Sequence, residues 1–235
     1  MKAHGKLYLI PTPLGEDTLQ TIPQYVVDIL HQLDFFIAER AKTARHFIKT
    51  TAPVKPFSEL HFSELNKHTT TAEISQMLQP AEAGNDMGLL SEAGCPGVAD
   101  PGAAIVEMAH QKGITVIPLV GPSSILLALM GSGMNGQSFS FNGYLGVKKP
   151  DLAKDLKRLE QLATRHKQTQ IFIETPYRNG QMLETALATL HPNTRFCIAV
   201  DLTLPTQLII TKKIGDWQKT KLPDLHKRPA IFLIN

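Results

Sequence analysis

Apolar residues along this chain fall into two alternating patterns. Short runs of four to seven apolar positions read as buried strands, and the segments between them carry apolar residues at helical spacing. Residues 7–10 (LYLI) form the first such run. Residues 17–32 follow, with Leu19, Ile22, Val26, Ile29, Leu30 and Leu33 in helical register. Residues 35–38 (FFIA) predict a second strand and 41–50 a short helix. Residues 54–57 predict a third strand and 63–78 another helix. The run at 86–91 (DMGLLS) predicts the fourth strand. Asp100 and Pro101 read as the start of a helix that runs to about His110 and ends at Gly113. Residues 114–120 (ITVIPLV) predict the next strand.

This β-α-β-α order implies a mostly parallel sheet covered by helices. Ligands in such sheets bind beyond the carboxyl ends of the strands. The loops at 11–17, 39–43 and 91–101 all follow strands and therefore belong on that edge. The second half has a different rhythm. A helix at 122–131 precedes an apolar stretch at 138–145, a basic helix at 150–165, a strand at 170–174 and a helix at 179–190. Residues 195–202, 207–214 and 230–235 then read as consecutive strands, and their short links imply antiparallel pairing. The expected architecture is α/β with two domains. One is an N-terminal, mostly parallel domain at 1–119 and the other a C-terminal mixed-sheet domain at 120–235, with a ligand groove shared by both.

Composition narrows the field. In 235 residues, 43% are hydrophobic and 19% charged, which suits a globular core without disulfide support. Cys95 and Cys197 are far apart, and the histidines form no ligand motif, so no metal is expected. No run reaches the roughly 20 apolar residues of a membrane span. The apolar stretch before Pro11 is shorter than the roughly 7–15 residues of a secretory core. A cytoplasmic protein with no membrane partner is expected. Net charge is +3, but it is not evenly spread. Residues 148–167 hold seven Lys or Arg against three acids, an excess of four, so the remainder carries about −1. That segment is either a solvated helix face or a polyanion contact.

The chemistry concentrates in glycine- and proline-bearing loops. LLSEAGCPGVADPG (89–102) follows a strand and packs three glycines and two prolines into one loop. Glycine lets backbone approach a ligand closely, and proline stiffens the path. Such a loop presents backbone N–H and C=O groups to an uncharged adenine, a ribose or an amino-acid end. PTPLGED (11–17) and VGPSS (120–124) are two further stiff loops. GSGMNG (131–136) fits the G-x-G-x-x-G spacing but follows a helix, so it reads as a helix cap and turn. There is no phosphate-binding P-loop and no G-x-S-x-G elbow.

These stretches, with FIAE (36–39), FNGYL (141–145), IFIETPYR (171–178) and IAVDLT (198–203), resemble the tetrapyrrole methylase superfamily, the class III S-adenosylmethionine methyltransferases. The resemblance spans nearly the whole chain. It is nearest to the ribosomal RNA small-subunit methyltransferase I group, which methylates a cytidine 2′-hydroxyl in small-subunit rRNA. It implies S-adenosylmethionine as cofactor, with Pro13, Ala93, Gly94, Cys95, Val98, Ser123, Ser124, Glu174 and Thr203 as its contacts. It implies ribosomal RNA or the small ribosomal subunit as partner, and a homodimer.

Candidate bases for a ribose hydroxyl are Glu39, Glu92 and Glu174, each at or near a strand end. Arg40, Lys42, Arg45, Lys148 and Lys149 are candidate substrate contacts. The chain departs from the group's pattern in several places. Arg40, Ala41 and Lys42 replace an Asp-Thr-Arg run, Glu92 replaces an Asp, Asp201 replaces a Glu and Leu204 a Lys. Two alternatives stand beside RNA methylation: a methyltransferase acting on a tetrapyrrole or other small molecule, and a non-catalytic RNA- or cofactor-binding protein.

Overall fold

A computed structural model describes residues 3–66 and 68–235. The chain divides into two compact units, Met1–Ser123 and Ser124–Asn235.

The first unit is a parallel sheet with both faces covered. Its strands are β1 (Lys6–Ile10), β2 (Phe35–Ala38), β3 (His61–Glu64), β4 (Met87–Leu90) and β5 (Thr115–Pro118). They lie in the order β3-β2-β4-β1-β5, and every pairing is parallel. Alternation along each strand sorts the side chains to two faces. Ile10, Phe36 and Leu90 meet α1 (Gln24–Leu30) and α2 (Ala41–Thr50) on one face. Leu7, Ile37, Met87 and Leu89 face the other side. There they meet α3 (Thr71–Met77), α4 (Gln79–Glu82) and α5 (Gly102–Gln111). The crossover after β1 thus covers one face and the crossover after β4 covers the other, although β1 and β4 are neighbours. That is the topological switch point of the sheet, the edge at which ligands bind in folds of this kind.

Three expectations are corrected in this unit. Residues 54–57 form no strand. Pro53 and Pro56 flank Val54, which is 95% exposed, and a 3₁₀ turn follows at Phe57–Glu59. The third strand is instead His61–Glu64, so the helix expected at 63–78 is shorter. It starts after Thr70, whose hydroxyl accepts from the Glu73 N–H at 3.3 Å while the Glu73 carboxylate accepts from the Thr70 N–H at 2.7 Å. This capping box fixes the start of α3. The helix expected at 17–32 is split by Pro23 into a 3₁₀ turn at Leu19–Thr21 and α1.

The second unit opens with α6 (Ser124–Ser132). It continues through β6 (Phe139–Tyr144), α7 (Lys149–His166), β7 (Thr169–Ile173), α8 (Asn179–Thr189), β8 (Arg195–Val200), β9 (Leu208–Lys213), α9 (Ile214–Trp217) and β10 (Ala230–Ile234). The strand order is β6-β7-β10-β8-β9. β6 pairs parallel with β7, and the other three pairings are antiparallel. Leu152, Leu156, Leu159 and Ala163 of α7 pack with Phe172, Phe196 and Phe232 from three adjacent strands. α6 ends at Ser132, and Gly133 follows at φ +65°, so the GSGMNG run is a helix cap.

Candidate active site

Because the first sheet is entirely parallel, all its strands end on one edge. Register places Leu90 of β4 beside both Ile10 of β1 and Ala38 of β2. The loops beginning at Pro11, Glu39 and Ser91 therefore leave from adjacent positions, with the loop after β5 next to that of β1.

The β1 and β4 loops are stitched across the switch point. The Thr12 N–H donates to the Gly94 carbonyl at 3.0 Å, and the Gly94 N–H returns a bond to the Thr12 carbonyl at 3.0 Å. The Ser91 hydroxyl donates to the same Gly94 carbonyl at 2.8 Å, and the Thr12 hydroxyl donates to the Ser91 carbonyl at 3.3 Å. Gly94 is buried and has φ +78°, in the left-handed region. A Cβ on it would lie 3.1 Å from Leu14 Cδ2 and 3.3 Å from the Pro122 carbonyl oxygen. Three loops thus close on one glycine. Gly121 does the same for the β5 loop: a Cβ there would overlap Pro11 Cβ and Cγ at 2.3 Å. The Cys95 thiol reaches the Pro122 carbonyl at 3.5 Å, and burial pushes its pKa up.

The rest of the β4 loop is held by Asp100. Its Oδ1 accepts from the Gly97 and Gly102 N–H groups, each at 2.8 Å. Asp100 was expected to cap α5. The cap position itself is Pro101, yet the carboxylate still receives the first helical N–H. Ala93, Val98 and Ala99 are exposed on this loop, and Pro13 is half-buried.

Three carboxylates gather here. Burial raises the pKa of Glu39 above the ordinary carboxylate value. The nearby charges of Asp100 and Glu92 raise it further, and Arg40 opposes them. Asp100 is also raised by burial, against its two backbone hydrogen bonds. Glu92 accepts from the Thr43 hydroxyl at 3.2 Å. Clustered acids of this kind, two of them partly desolvated, make this edge a functional-site candidate. Arg40 and Lys42 are exposed. Arg45 stacks its guanidinium 4.7 Å from the Phe62 ring centroid. Ser123 closes the β5 loop.

The remaining site residues lie in the second unit. Ser124 is the first residue of α6. Lys148 precedes α7, and Lys149, in its first turn, sits 4.0 Å from Glu184. Glu174 follows β7 and is buried. Its Oε1 accepts from the Thr175 N–H at 2.6 Å and from Arg178 at 2.6 and 2.9 Å. So many donors on one oxygen suit a brace better than a proton acceptor. The Arg178→Ala variant leaves this carboxylate buried with a single donor. It is expected to lose about 3 kcal/mol of stability, or roughly 6–12 °C in Tm, by calorimetry.

Thr203 lies on the loop after β8, at φ +74°, a strained conformation for a β-branched residue. Its hydroxyl is buried without a partner. That loop is tied down by Arg228, which bonds Asp201 Oδ2, the Asp224 carbonyl and the Thr206 carbonyl at 2.8, 2.9 and 2.8 Å. Sequence reasoning missed Thr12, Ser91, Gly121 and the Arg228 clamp. Only Gly121, inside the V-G-P run, carried a local signal.

A doubly wound parallel unit with its switch-point loops locked on a glycine, followed by a mixed-sheet unit, defines a class. The profile of the tetrapyrrole (corrin/porphyrin) methylases matches residues 6–218, and the chain belongs to this family of S-adenosylmethionine-dependent methyltransferases. Two curated relatives are each called ribosomal RNA small subunit methyltransferase I. The one from Vibrio cholerae is 32% identical over 84% of this chain and 65% of its own length. The one from Bacillus subtilis is 32% identical over 90% of this chain and 68% of its own length. The chain thus spans about two thirds of the length of these relatives. Among solved structures, the methyltransferase CobJ matches with a TM-score of 0.64 at 19% identity, covering 98% of this chain and 94% of that one. The cobalt precorrin-4 methyltransferase CbiF gives a TM-score of 0.62 at 16% identity over the same shares. These structures share the α/β fold.

Proposed function

We propose that this chain is an S-adenosylmethionine-dependent methyltransferase that modifies small-subunit ribosomal RNA, at a ribose 2′-hydroxyl. The observation that supports this most directly is the convergence of the β1, β4 and β5 loops on Gly94 at the switch point. The names of the curated relatives supply the substrate class.

The residues present fit the cofactor. The missing Cβ at Gly94 lets the β1, β4 and β5 loops pack against one another, which holds the exposed neighbours on the β4 loop in place. Ala93 and Val98 add small apolar surface. Glu39, Glu92 and Asp100 place negative charge where a cationic sulfonium or ammonium group is favoured. When bound, S-adenosylmethionine supplies a methyl group already activated on sulfur.

The task left to the protein is alignment, a proximity effect worth up to about 7–11 kcal/mol. The stitched loops suit it, since no ordering of backbone is needed when the ligand arrives. Of the three candidate bases, Glu39 is favoured. Its raised pKa makes the ionised carboxylate a better proton acceptor for a hydroxyl. Arg40 and Lys42, beside it and exposed, suit contacts to RNA phosphates.

The protein is proposed to act in the cytoplasm, where ribosomal subunits are assembled, and as a homodimer. Among the described residues no helix is long and apolar enough to cross a membrane. α6 is apolar on all sides, with Met130 78% exposed, which favours a covering partner. Calorimetric titration with S-adenosylmethionine is expected to show saturable binding. Incubation with small subunits that lack the modification is expected to transfer labelled methyl to rRNA. Transfer to a tetrapyrrole precursor alone, or binding without any transfer, would replace this reading with one of its alternatives.

A further inference from the structure

α7 separates its charges by face. Leu152, Leu156, Leu159 and Ala163 are buried, and Lys154, Lys157, Arg158 and Arg165 occupy the opposite, exposed face. The helix is acidic as well as basic in sequence, but two of its three acids are turned to internal work. Asp155 accepts from the Gly146 N–H at 3.0 Å and also contacts Arg158 at 3.5 Å. Glu160 accepts from the His191 N–H at 2.7 Å and from the Thr194 hydroxyl. Lys148, Lys154, Lys157, Arg165 and Lys167 have no carboxylate within 4.0 Å among the described residues. From Lys154 to Arg165 the stripe spans about 16 Å at 1.5 Å per residue. At its far end Arg165 lines an open groove of about 740 Å³ with Glu160, Gln161, Thr164, His191 and Asn193.

Asp151, in the first turn, is the one exposed acid of α7. Turning the other two inward while cations stay free along the helix is unneeded for the fold, since a mixed-charge face would solvate equally well. We infer that the outer face of α7 is a sequence-independent docking surface for the RNA phosphate backbone, separate from the loops of the first unit. The inference rests on the RNA reading above. Charge complementarity selects the occupant. Gln161 and Thr164 are the uncharged residues among these cations, and the stripe contains no aromatic or large aliphatic side chain. A membrane-surface helix would need an apolar face to insert, and a protein partner would need an aromatic or aliphatic anchor. Phosphate contacts need neither.

The test compares the wild-type protein with a variant carrying Lys154→Gln, Lys157→Gln and Arg165→Gln. Filter binding to small-subunit rRNA is measured from 50 to 200 mM salt. Three lost phosphate contacts should flatten the slope of log K against log salt by about 2–2.7, which is roughly a 20- to 40-fold smaller loss of affinity across that range. S-adenosylmethionine affinity should not change, because these residues lie outside the donor loops. Equal slopes for the two proteins overturn the inference and leave the methyltransferase reading standing. A wild-type protein that binds the donor but no RNA overturns the inference and the RNA reading together. Loss of binding to phosphatidylserine vesicles with an unchanged RNA slope assigns the stripe to a membrane and overturns it as well.

Discussion

Gly94→Val is expected to weaken S-adenosylmethionine binding, read by calorimetry, and to lower the methyl-transfer rate about 100-fold while unit 2 stays folded. Two effects act together. The backbone at φ +78° costs a β-branched residue on the order of 1–2 kcal/mol. The first added carbon meets Leu14 at 3.1 Å and the Pro122 carbonyl at 3.3 Å, which asks the neighbours to give by a few tenths of an ångström, and the two further carbons of valine press on the same loops. Displacing them strains the paired Thr12–Gly94 hydrogen bonds and shifts the β4 loop, on which donor contacts are proposed. A displacement of about 1 Å in a positioning site costs roughly 100-fold in rate. Gly94→Ala should show a smaller loss in the same direction. Near-normal donor affinity in the valine variant would remove this glycine, and the seat built on it, from the account.

Glu39→Gln is expected to lower the methyl-transfer rate by about 10²–10⁴-fold, with a much smaller loss of donor affinity from removing one of the three nearby carboxylates. The carboxylate serves as acceptor only when ionised. Wild-type activity should therefore fall as pH drops through the raised pKa of Glu39, and the variant should lose that limb of the profile.

The same shift has a consequence for stability, of defined sign. A carboxyl whose folded pKa is raised binds protons more tightly when folded than when unfolded. Its charge therefore disfavours the fold increasingly as pH rises from the unfolded pKa through the folded one. Glu39→Gln removes that charge. Its Tm should exceed the wild-type value at pH 7 and match it near pH 4. A variant that is slower but no more stable at pH 7 would mean that Glu39 is not desolvated. A variant with full activity would transfer the role to Glu92.

Much of the fold was legible because the buried strands are uniformly apolar. FFIA at 35–38 and the helix at 41–50 coincide with β2 and α2. The third strand was not legible. His61–Glu64 is an edge strand with both ends exposed and its middle half-buried, so it carries no apolar run. Val54 supplied apolar character without burial, and Phe57 packs on the core from a 3₁₀ turn and not from a strand. The capping box at Thr70 and Glu73 was readable in principle, but the helical periodicity of the wider segment obscured it.

In the site, glycine and proline marked the loops well, since their roles are set by backbone geometry that composition reveals. Stitching between Thr12 and Gly94 is backbone to backbone over a separation of 82 positions, so no side-chain pattern announces it. The strain at Thr203 was equally silent, because it depends on the Arg228 clamp from 25 positions further along. Glu39 stands out as a strand-end acid, but its raised pKa depends first on burial and then on Asp100 and Glu92, all of which only the folded sheet supplies.

The Thr12–Gly94 ladder is made wholly of backbone groups of the first unit. The seat and the first unit should therefore melt as one. Amide protons of these two residues should exchange only on global opening of that unit, at the same rate with and without competing solvent additives that leave the fold intact. Heating should then extinguish donor capture at the temperature where the parallel sheet comes apart, with no cooler step in which the sheet persists but the seat is lost.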